Sequence, residues 1–163
     1  MRRLPLLLIP LLVGCATIAR DETPFFDEGP DRDRATAAEL IAARHAMMHM
    51  AATLMFESVM QAVRNGSDVK RQVHAAEGLD HFGHSIAGLF PDGSEGPNSR
   101  ALPSVWANKA DFQARANAFG DSSARLAELA RAGNTVGFAA QAAEVSKGCN
   151  GCHSLYRAEE AGH

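Results

Sequence analysis

Apolar residues recur at three- and four-residue steps through most of this chain, and the alternating pattern of a β-strand is almost absent. The helical pattern runs through four segments, at 33–65, 68–90, 103–133 and 135–160. Short turns join most of them, and helices of about 22 to 30 residues joined in this way form bundles. The sequence therefore predicts an all-α fold, an antiparallel four-helix bundle in which a cofactor binds between facing helices.

Capping and turn residues set the expected ends of these helices. Asp33 is a suitable N-cap for the first helix, and Ser67 or Asp68 for the second. Asn65-Gly66 is expected to end the first helix, and Gly133-Asn134 the third. Proline and glycine make 91–98 a loop on any interpretation.

The five residues Cys149-Asn150-Gly151-Cys152-His153 spell C-x-x-C-H, with ten residues following them. Two thiols three positions apart lie on one side of a helical turn, where they can add to the two vinyl groups at one edge of a porphyrin. The adjacent imidazole can then bind the iron as an axial ligand. This pattern is the attachment signature of a c-type haem, so we predict one covalently bound haem c. A sixth iron ligand then has to come from an earlier helix, and the methionine-rich first helix is the obvious source.

Two other uses of the cysteine pair stay open at this point. A zinc site needs two more ligands at finger-like spacing, and the only other cysteine, Cys15, lies near the N-terminus. A redox dithiol needs a preceding strand and a helix N-terminus at the first cysteine, whereas 135–147 is predicted as continuous helix. Haem attachment is therefore favoured over a zinc or dithiol bundle.

Histidines form a second candidate metal site along the predicted second helix. His74, His81 and His84 make a stripe that can bind zinc or copper, although surface histidines with no metal are the commoner outcome. His45 and His49 lie four residues apart on the first helix, and ligation of the haem by two histidines is a minor alternative.

The first fourteen residues have the character of a secretory signal. Arg2 and Arg3 give a positive start, and the apolar stretch 4–13 is too short to span a bilayer. The stretch ends in Leu12-Val13-Gly14-Cys15, which resembles the lipobox of bacterial lipoproteins. We therefore expect cleavage before Cys15 and lipid attachment to it, the alternative being an ordinary signal peptide with an incidental cysteine.

Export agrees with haem attachment, because c-type haem is attached outside the cytoplasm in bacteria. Residues 15–34 are charged and interrupted by proline, which predicts a flexible tether between the lipid and the domain. Residues 35–163 are then enough for one compact domain. The sequence thus predicts a periplasmic lipoprotein held at the membrane through Cys15.

Charge excludes one class of partner. Removal of residues 1–14 takes away Arg2 and Arg3 and no acidic residue, which changes the formal net charge from −3 to −5. No basic field remains that would favour nucleic acid. Paired carboxylates, a nucleophile with its base and a nucleotide-binding loop are also not evident, so we expect a protein that is not an enzyme.

From about residue 35 to 160 the chain resembles the cytochrome c′ family, the class II c-type cytochromes. The resemblance depends on the following elements: Arg44 to Met48, Leu89-Phe90-Pro91-Asp92-Gly93-Ser94, Leu102-Pro103, Trp106, Phe112, and Cys149 to Arg157. Together these are far more specific than C-x-x-C-H alone.

The resemblance implies a four-helix bundle that holds haem c through Cys149 and Cys152, with His153 as the proximal iron ligand. Met48 then lies over the distal face, either as a lid on a five-coordinate haem that binds nitric oxide or carbon monoxide, or as the sixth ligand of an electron-transfer haem. The partner is accordingly a diatomic gas or a redox protein, and family members commonly form a homodimer through their first two helices.

The resemblance also implies roles for two arginines. It places Arg44 near a haem propionate and Arg157 on the proximal side, near the imidazole that binds iron. The alternative for each arginine is a solvated surface charge. Met47, Met55 and Met60 are expected to pack in the core, because methionine fills irregular gaps.

Overall fold

The computed structural model describes residues 35–159. Its helical elements are α1 (Ala37–Thr53), a π-helical turn (Leu54–Val59), α2 (Met60–Asn65), a 3-10 turn (Val69–Gln72), α3 (Val73–Ser85), a second 3-10 turn (Ile86–Leu89), α4 (Ser104–Ala107), α5 (Lys109–Arg131) and α6 (Thr135–Tyr156). These elements form four long helical stretches, and within 35–159 the strand-like pairing is one isolated bridge between Ala101 and Arg157. The predicted all-α four-helix bundle is confirmed.

The four stretches pack in the order in which they occur along the chain. The first packs on α3, α3 packs closely on α5, α5 packs on α6, and α2 completes the bundle against α6. The α6 helix approaches the first stretch more closely at α2 than along α1. No helix among the described residues is long and apolar enough to cross a membrane.

The first helical stretch begins at Thr36 and ends where the turn residues predict. Thr36 and Glu39 form a capping box, in which the Thr36 hydroxyl accepts from the Glu39 amide and the Glu39 carboxylate accepts from the Thr36 amide. The expected cap Asp33 lies outside the described residues. Gly66 ends the stretch in the left-handed conformation at φ 61°, which glycine adopts without a steric penalty.

Three features depart from the predicted helices. The first stretch contains the π turn, an i to i+5 irregularity that apolar spacing does not reveal. The third helix is broken at Asn108 (φ −119°, ψ 44°), which separates α4 from α5. The fourth helix ends at Tyr156 instead of near 160, because Arg157 is extended (φ −121°, ψ 129°) and pairs with Ala101.

The core lies along the shared faces of α3, α5 and α6 and includes side chains of the π-helical turn. Its fully buried large side chains include Met55, Val59, Leu79, Leu126, Phe138 and Val145. Met47 and Met60 pack against its edge, which agrees with their predicted packing role.

Two glycines allow α3 and α5 to pack with their backbones close together. A Cβ atom added to Gly83 would lie 2.6 Å from both the Cα and the amide nitrogen of Gly120. Backbone atoms cannot rotate away as a flexible side chain can, so this crossing requires the missing Cβ. Gly88, by contrast, has open space around the position of its Cβ.

We expect Gly83→Ala to destabilise the protein and Gly88→Ala to leave its stability unchanged or slightly higher. Forcing a methyl group into a packed crossing costs about 1–3 kcal/mol, which exceeds the gain of about 1 kcal/mol from replacing glycine in a helix. Thermal unfolding of the two variants side by side measures the difference. Equal melting temperatures would contradict the close crossing.

Candidate haem site

Cys149, Cys152 and His153 lie on the last turns of α6. Both cysteines are free thiols, and all three side chains are half-buried. Cys149 packs against the edge of the core, while the Cβ position of Gly151 is open. The two thiols and the imidazole therefore line a surface of α6 that is neither core nor open solvent.

The surroundings of the thiols keep them protonated. Burial raises the pKa of Cys149, and the neighbouring Cys152 raises it further. Burial also raises the pKa of Cys152, with Arg115 opposing this effect and Asp111 adding to it. A redox dithiol needs a lowered thiol pKa, so these surroundings do not support the dithiol alternative.

The imidazole of His153 is held in its neutral form. Burial lowers its pKa, and the positive charges of Arg157 and Arg100 lower it further. Only a neutral imidazole has a free lone pair for a metal ion. Arg157 is itself exposed, so its guanidinium acts on the imidazole from the solvent side.

Met48 lies on α1, one helical turn after Arg44. It is half-buried and packs against the edge of the core, whereas Met55 is 1% exposed and Met50 is 47% exposed. Of the three methionines on α1, Met47 and Met48 are therefore half-buried, and only Met50 is exposed.

Arg44 is buried, with only 3% of its surface exposed. Its Nη1 donates to the Leu89 carbonyl at 3.2 Å and to the Ser94 hydroxyl at 3.0 Å, and its Nη2 donates to the Ser94 carbonyl at 2.7 Å. The guanidinium carbon lies 4.6 Å from the ring centroid of Phe90 and 5.9 Å from that of Trp106, within cation–π range. The interpretation of Arg44 as a solvated surface charge is therefore wrong, and its contact with a haem propionate stays a prediction.

Burial also bears on the charge of Arg44. It lowers the pKa of the guanidinium, and the nearby negative charge of Glu95 partly opposes this. Guanidinium groups stay protonated in proteins even when buried. The structure thus holds a positive charge in its interior, one turn from Met48.

The sequence did not predict a row of aromatic rings that runs from Phe90, which Arg44 of α1 contacts, to Tyr156 at the end of α6. The Phe90 and Phe112 rings lie 5.0 Å apart, and the Phe112 and Tyr156 rings lie 5.1 Å apart, each pair in an edge-to-face arrangement. The Tyr156 hydroxyl donates to Asp111, which also accepts from Arg115. The residue types were visible in the sequence, but their contacts join segments that are far apart in the chain.

The predicted histidine stripe does not form a metal site. Among the described residues, no group of three or more His, Cys, Asp or Glu side chains is arranged to hold a metal ion. His74 instead contacts Glu77, and His84 contacts Asp80 and Asp121. The same finding removes support for a zinc site at the cysteine pair. His45 and His49 are both exposed.

The side chains at the end of α6 fit a covalently attached haem. Two neutral thiols on one helical surface match the two vinyl groups, and a neutral imidazole follows directly. Cys149 and Met48 both pack against the edge of the core, Cys149 from α6 and Met48 from α1.

Comparison with known proteins agrees with this arrangement. A family model described as cytochrome C′ matches residues 39–157. A cytochrome c′ from Alcaligenes xylosoxydans xylosoxydans is 29% identical over 97 residues, which are 60% of this chain and 72% of that protein.

Solved structures show the same fold. The ferrous form of a cytochrome c prime variant from Alcaligenes xylosoxidans matches with a TM-score of 0.71 at 23% identity, covering 77% of this chain and 99% of that one. A ferrous variant of the same protein with bound NO matches with a TM-score of 0.70 at 22% identity, covering 78% and 99%. The family model spans nearly all of the described residues, so the chain belongs to the cytochrome c′ family and carries a covalently attached haem c.

Proposed function

We propose that this protein binds a diatomic gas, nitric oxide or carbon monoxide, at a haem c held by Cys149, Cys152 and His153. The bound haem supplies an iron atom that takes up such gases and exchanges single electrons. The observation that carries this proposal is the half-buried surface of α6, which presents two free thiols and a neutral imidazole within five residues.

On the proximal side we assign His153 as the iron ligand and Arg157 as the charge that keeps its imidazole neutral. Arg100 has the same effect on the imidazole, which supports a proximal environment of positive charge. Arg44 is assigned to the distal helix, with the haem propionate as its predicted partner. Its present hydrogen bonds already connect it to Leu89 and Ser94.

We assign Met48 as a lid over the distal face. Its half-buried thioether offers bulk without polarity, which crowds a small ligand and excludes water. The motif set from Arg44 to Arg157 favours this five-coordinate type. A thioether at the same place can instead bind the iron, and the second candidate function is therefore electron transfer by a six-coordinate haem with His153 and Met48 as ligands.

The setting of the protein follows partly from its family. Cytochromes c′ are periplasmic, and they bind gases or transfer electrons. We further propose that lipid on Cys15 anchors this chain to the membrane, with 15–34 as the tether. We also propose that the protein acts without substrate turnover and that its partner is a gas or a redox protein. The signal 1–14, Cys15 and the tether lie outside the described residues. Pairing of two copies as a homodimer is expected from the family.

An absorption spectrum of the reduced protein, before and after addition of carbon monoxide, tests the proposed function. A five-coordinate haem gives a high-spin spectrum that changes on addition of the gas. A spectrum that is low-spin in both oxidation states and insensitive to carbon monoxide would instead establish the six-coordinate alternative.

Replacement of Met48 by alanine separates the lid from the ligand. If Met48 is a lid, Met48→Ala keeps the haem high-spin and makes carbon monoxide bind faster, because bulk is removed from the distal face. If Met48 is a ligand, the same change converts a low-spin haem to high spin and lowers its reduction potential, because a thioether favours ferrous iron. Met50→Ala is the control, since Met50 is largely exposed, and it leaves both measurements unchanged.

Replacement of Cys152 by serine tests the attachment. We expect Cys152→Ser to leave at most one thioether bond and to lower the yield of covalent haem, measured by haem staining of denaturing gels. Lys147→Ala, an exposed change earlier on α6, provides the control and retains the full yield. Undiminished covalent haem in Cys152→Ser would contradict the role of this cysteine.

Replacement of Cys15 by alanine tests the anchor. Cys15→Ala blocks lipid addition, so we expect the cytochrome to move from the membrane fraction to the soluble periplasmic fraction. Immunoblots of the two fractions measure this shift. Wild-type protein found only in the soluble fraction would favour the ordinary signal peptide.

A further inference from the structure

The segment 89–106, which we name the strap, connects the second helical stretch with the third. Its first part is a tight turn in which the Ser94 amide donates to the Pro91 carbonyl at 3.2 Å. The Ser94 hydroxyl donates to the same carbonyl at 2.7 Å, and the Trp106 indole donates to it at 3.0 Å. Ser94 is 1% exposed, so the turn is anchored inside the protein.

Arg44 connects the strap to α1. Its guanidinium donates to the Leu89 and Ser94 carbonyls and the Ser94 hydroxyl of the strap, and it lies over the rings of Phe90 and Trp106. The α1 helix buries little else, since its other buried residues are Ile41 and Ala51. The hydrogen bonds of Arg44 therefore add to the packing of Met47 and Met48 in holding this part of α1.

The other end of the strap is connected to the end of α6. The Leu102 amide donates to the Tyr156 carbonyl at 2.9 Å, and the Ala158 amide donates to the Arg100 carbonyl at 2.8 Å. The Ser104 hydroxyl donates to the Leu155 carbonyl at 3.0 Å. These bonds connect the strap to residues 155–158, at the end of α6 and just beyond it.

One covalent segment is thus hydrogen-bonded to both helices that border the haem site. We propose that Arg44 is a positioning residue which, through the strap, sets where Met48 lies relative to His153. This inference rests on the proposed function, because it concerns the separation of the two axial positions. In this positioning role the guanidinium of Arg44 binds the protein itself, whereas in the role implied by the family it binds a haem propionate.

The first test is Ser94→Ala, which removes the hydroxyl that accepts from Arg44 and leaves the guanidinium in place. Loss of this bond loosens α1, and we expect the reduced holoprotein to bind carbon monoxide roughly twelvefold faster, equivalent to about 1.5 kcal/mol, the lower end of the contribution of a hydrogen bond to a charged group. Asp92→Asn is the matched control. Asp92 lies in the same turn but makes an exposed ion pair with Lys109, so its replacement leaves the rate unchanged. Equal rates in wild type and Ser94→Ala would overturn the proposal.

A double-mutant cycle separates positioning from general stability. If the strap acts by placing Met48, Ser94→Ala changes the rate in the wild-type protein but adds nothing in a Met48→Ala background, because the side chain that it places is gone. Additive effects would show that Ser94 only stabilises the fold, and they would sink the proposal.

Hydrogen exchange gives a measurement that does not depend on gas binding. Trp106→Phe keeps a ring beside Arg44 but removes the donor to Pro91, so amides in both 44–48 and 153–158 are expected to exchange faster in the holoprotein. Faster exchange in 44–48 alone would show that the strap does not connect the two sides of the site.

Two outcomes distinguish this inference from its alternatives. A reduction potential that shifts in Arg44→Gln but not in Ser94→Ala would assign Arg44 to the haem propionate and overturn the positioning role.

If the wild type is low-spin and insensitive to carbon monoxide, the proposed gas-binding function is wrong, and the role of the strap is then tested by measuring the spin state of the haem. In that case Ser94→Ala introduces high-spin haem, and an unchanged spectrum overturns the strap as well.

Discussion

The attachment of a porphyrin to two thiols of one helix is the constraint on which the rest of the structure depends. Cys149 and Cys152 have to border a gap, because a core position leaves no room for the ring and a surface position leaves the ring in water. The bundle satisfies this requirement by packing α6 closely on α2 and less closely on α1. The half-buried environment has an electrostatic consequence, since it keeps the thiols and the His153 imidazole neutral.

The α1 helix has few buried apolar side chains to hold it. Its buried residues are Ile41, Arg44 and Ala51, and two of these three side chains are small or charged. Burying the charge of Arg44 is costly unless its N–H groups find acceptors. The Leu89 and Ser94 carbonyls and the Ser94 hydroxyl supply them, and hydrogen bonds to a charged group contribute about 1.5–3 kcal/mol each. The same contacts that satisfy the charge thus hold α1 at the edge of the site.

Local signals predicted most of the fold correctly. Gly66 and Gly133 end helices as expected, because a left-handed residue at a helix end favours glycine whatever the rest of the protein does. The π turn at Leu54–Val59 and the break at Asn108 were missed, since both leave the apolar spacing nearly helical. The end of α6 was predicted too late, because it depends on the pairing of Arg157 with Ala101, a residue 56 positions away.

The sequence by itself determined the chemistry of the site, because Cys149, Cys152 and His153 lie within five residues and helix geometry alone brings them to one side. It also determined the family, through motifs that can be read in order along the chain. Only the tertiary structure decided that Arg44 is buried against Ser94 and that Tyr156 contacts Asp111. The physical reason is distance along the chain, because the burial and the partner of a polar side chain depend on segments that the sequence places 40 to 50 residues away.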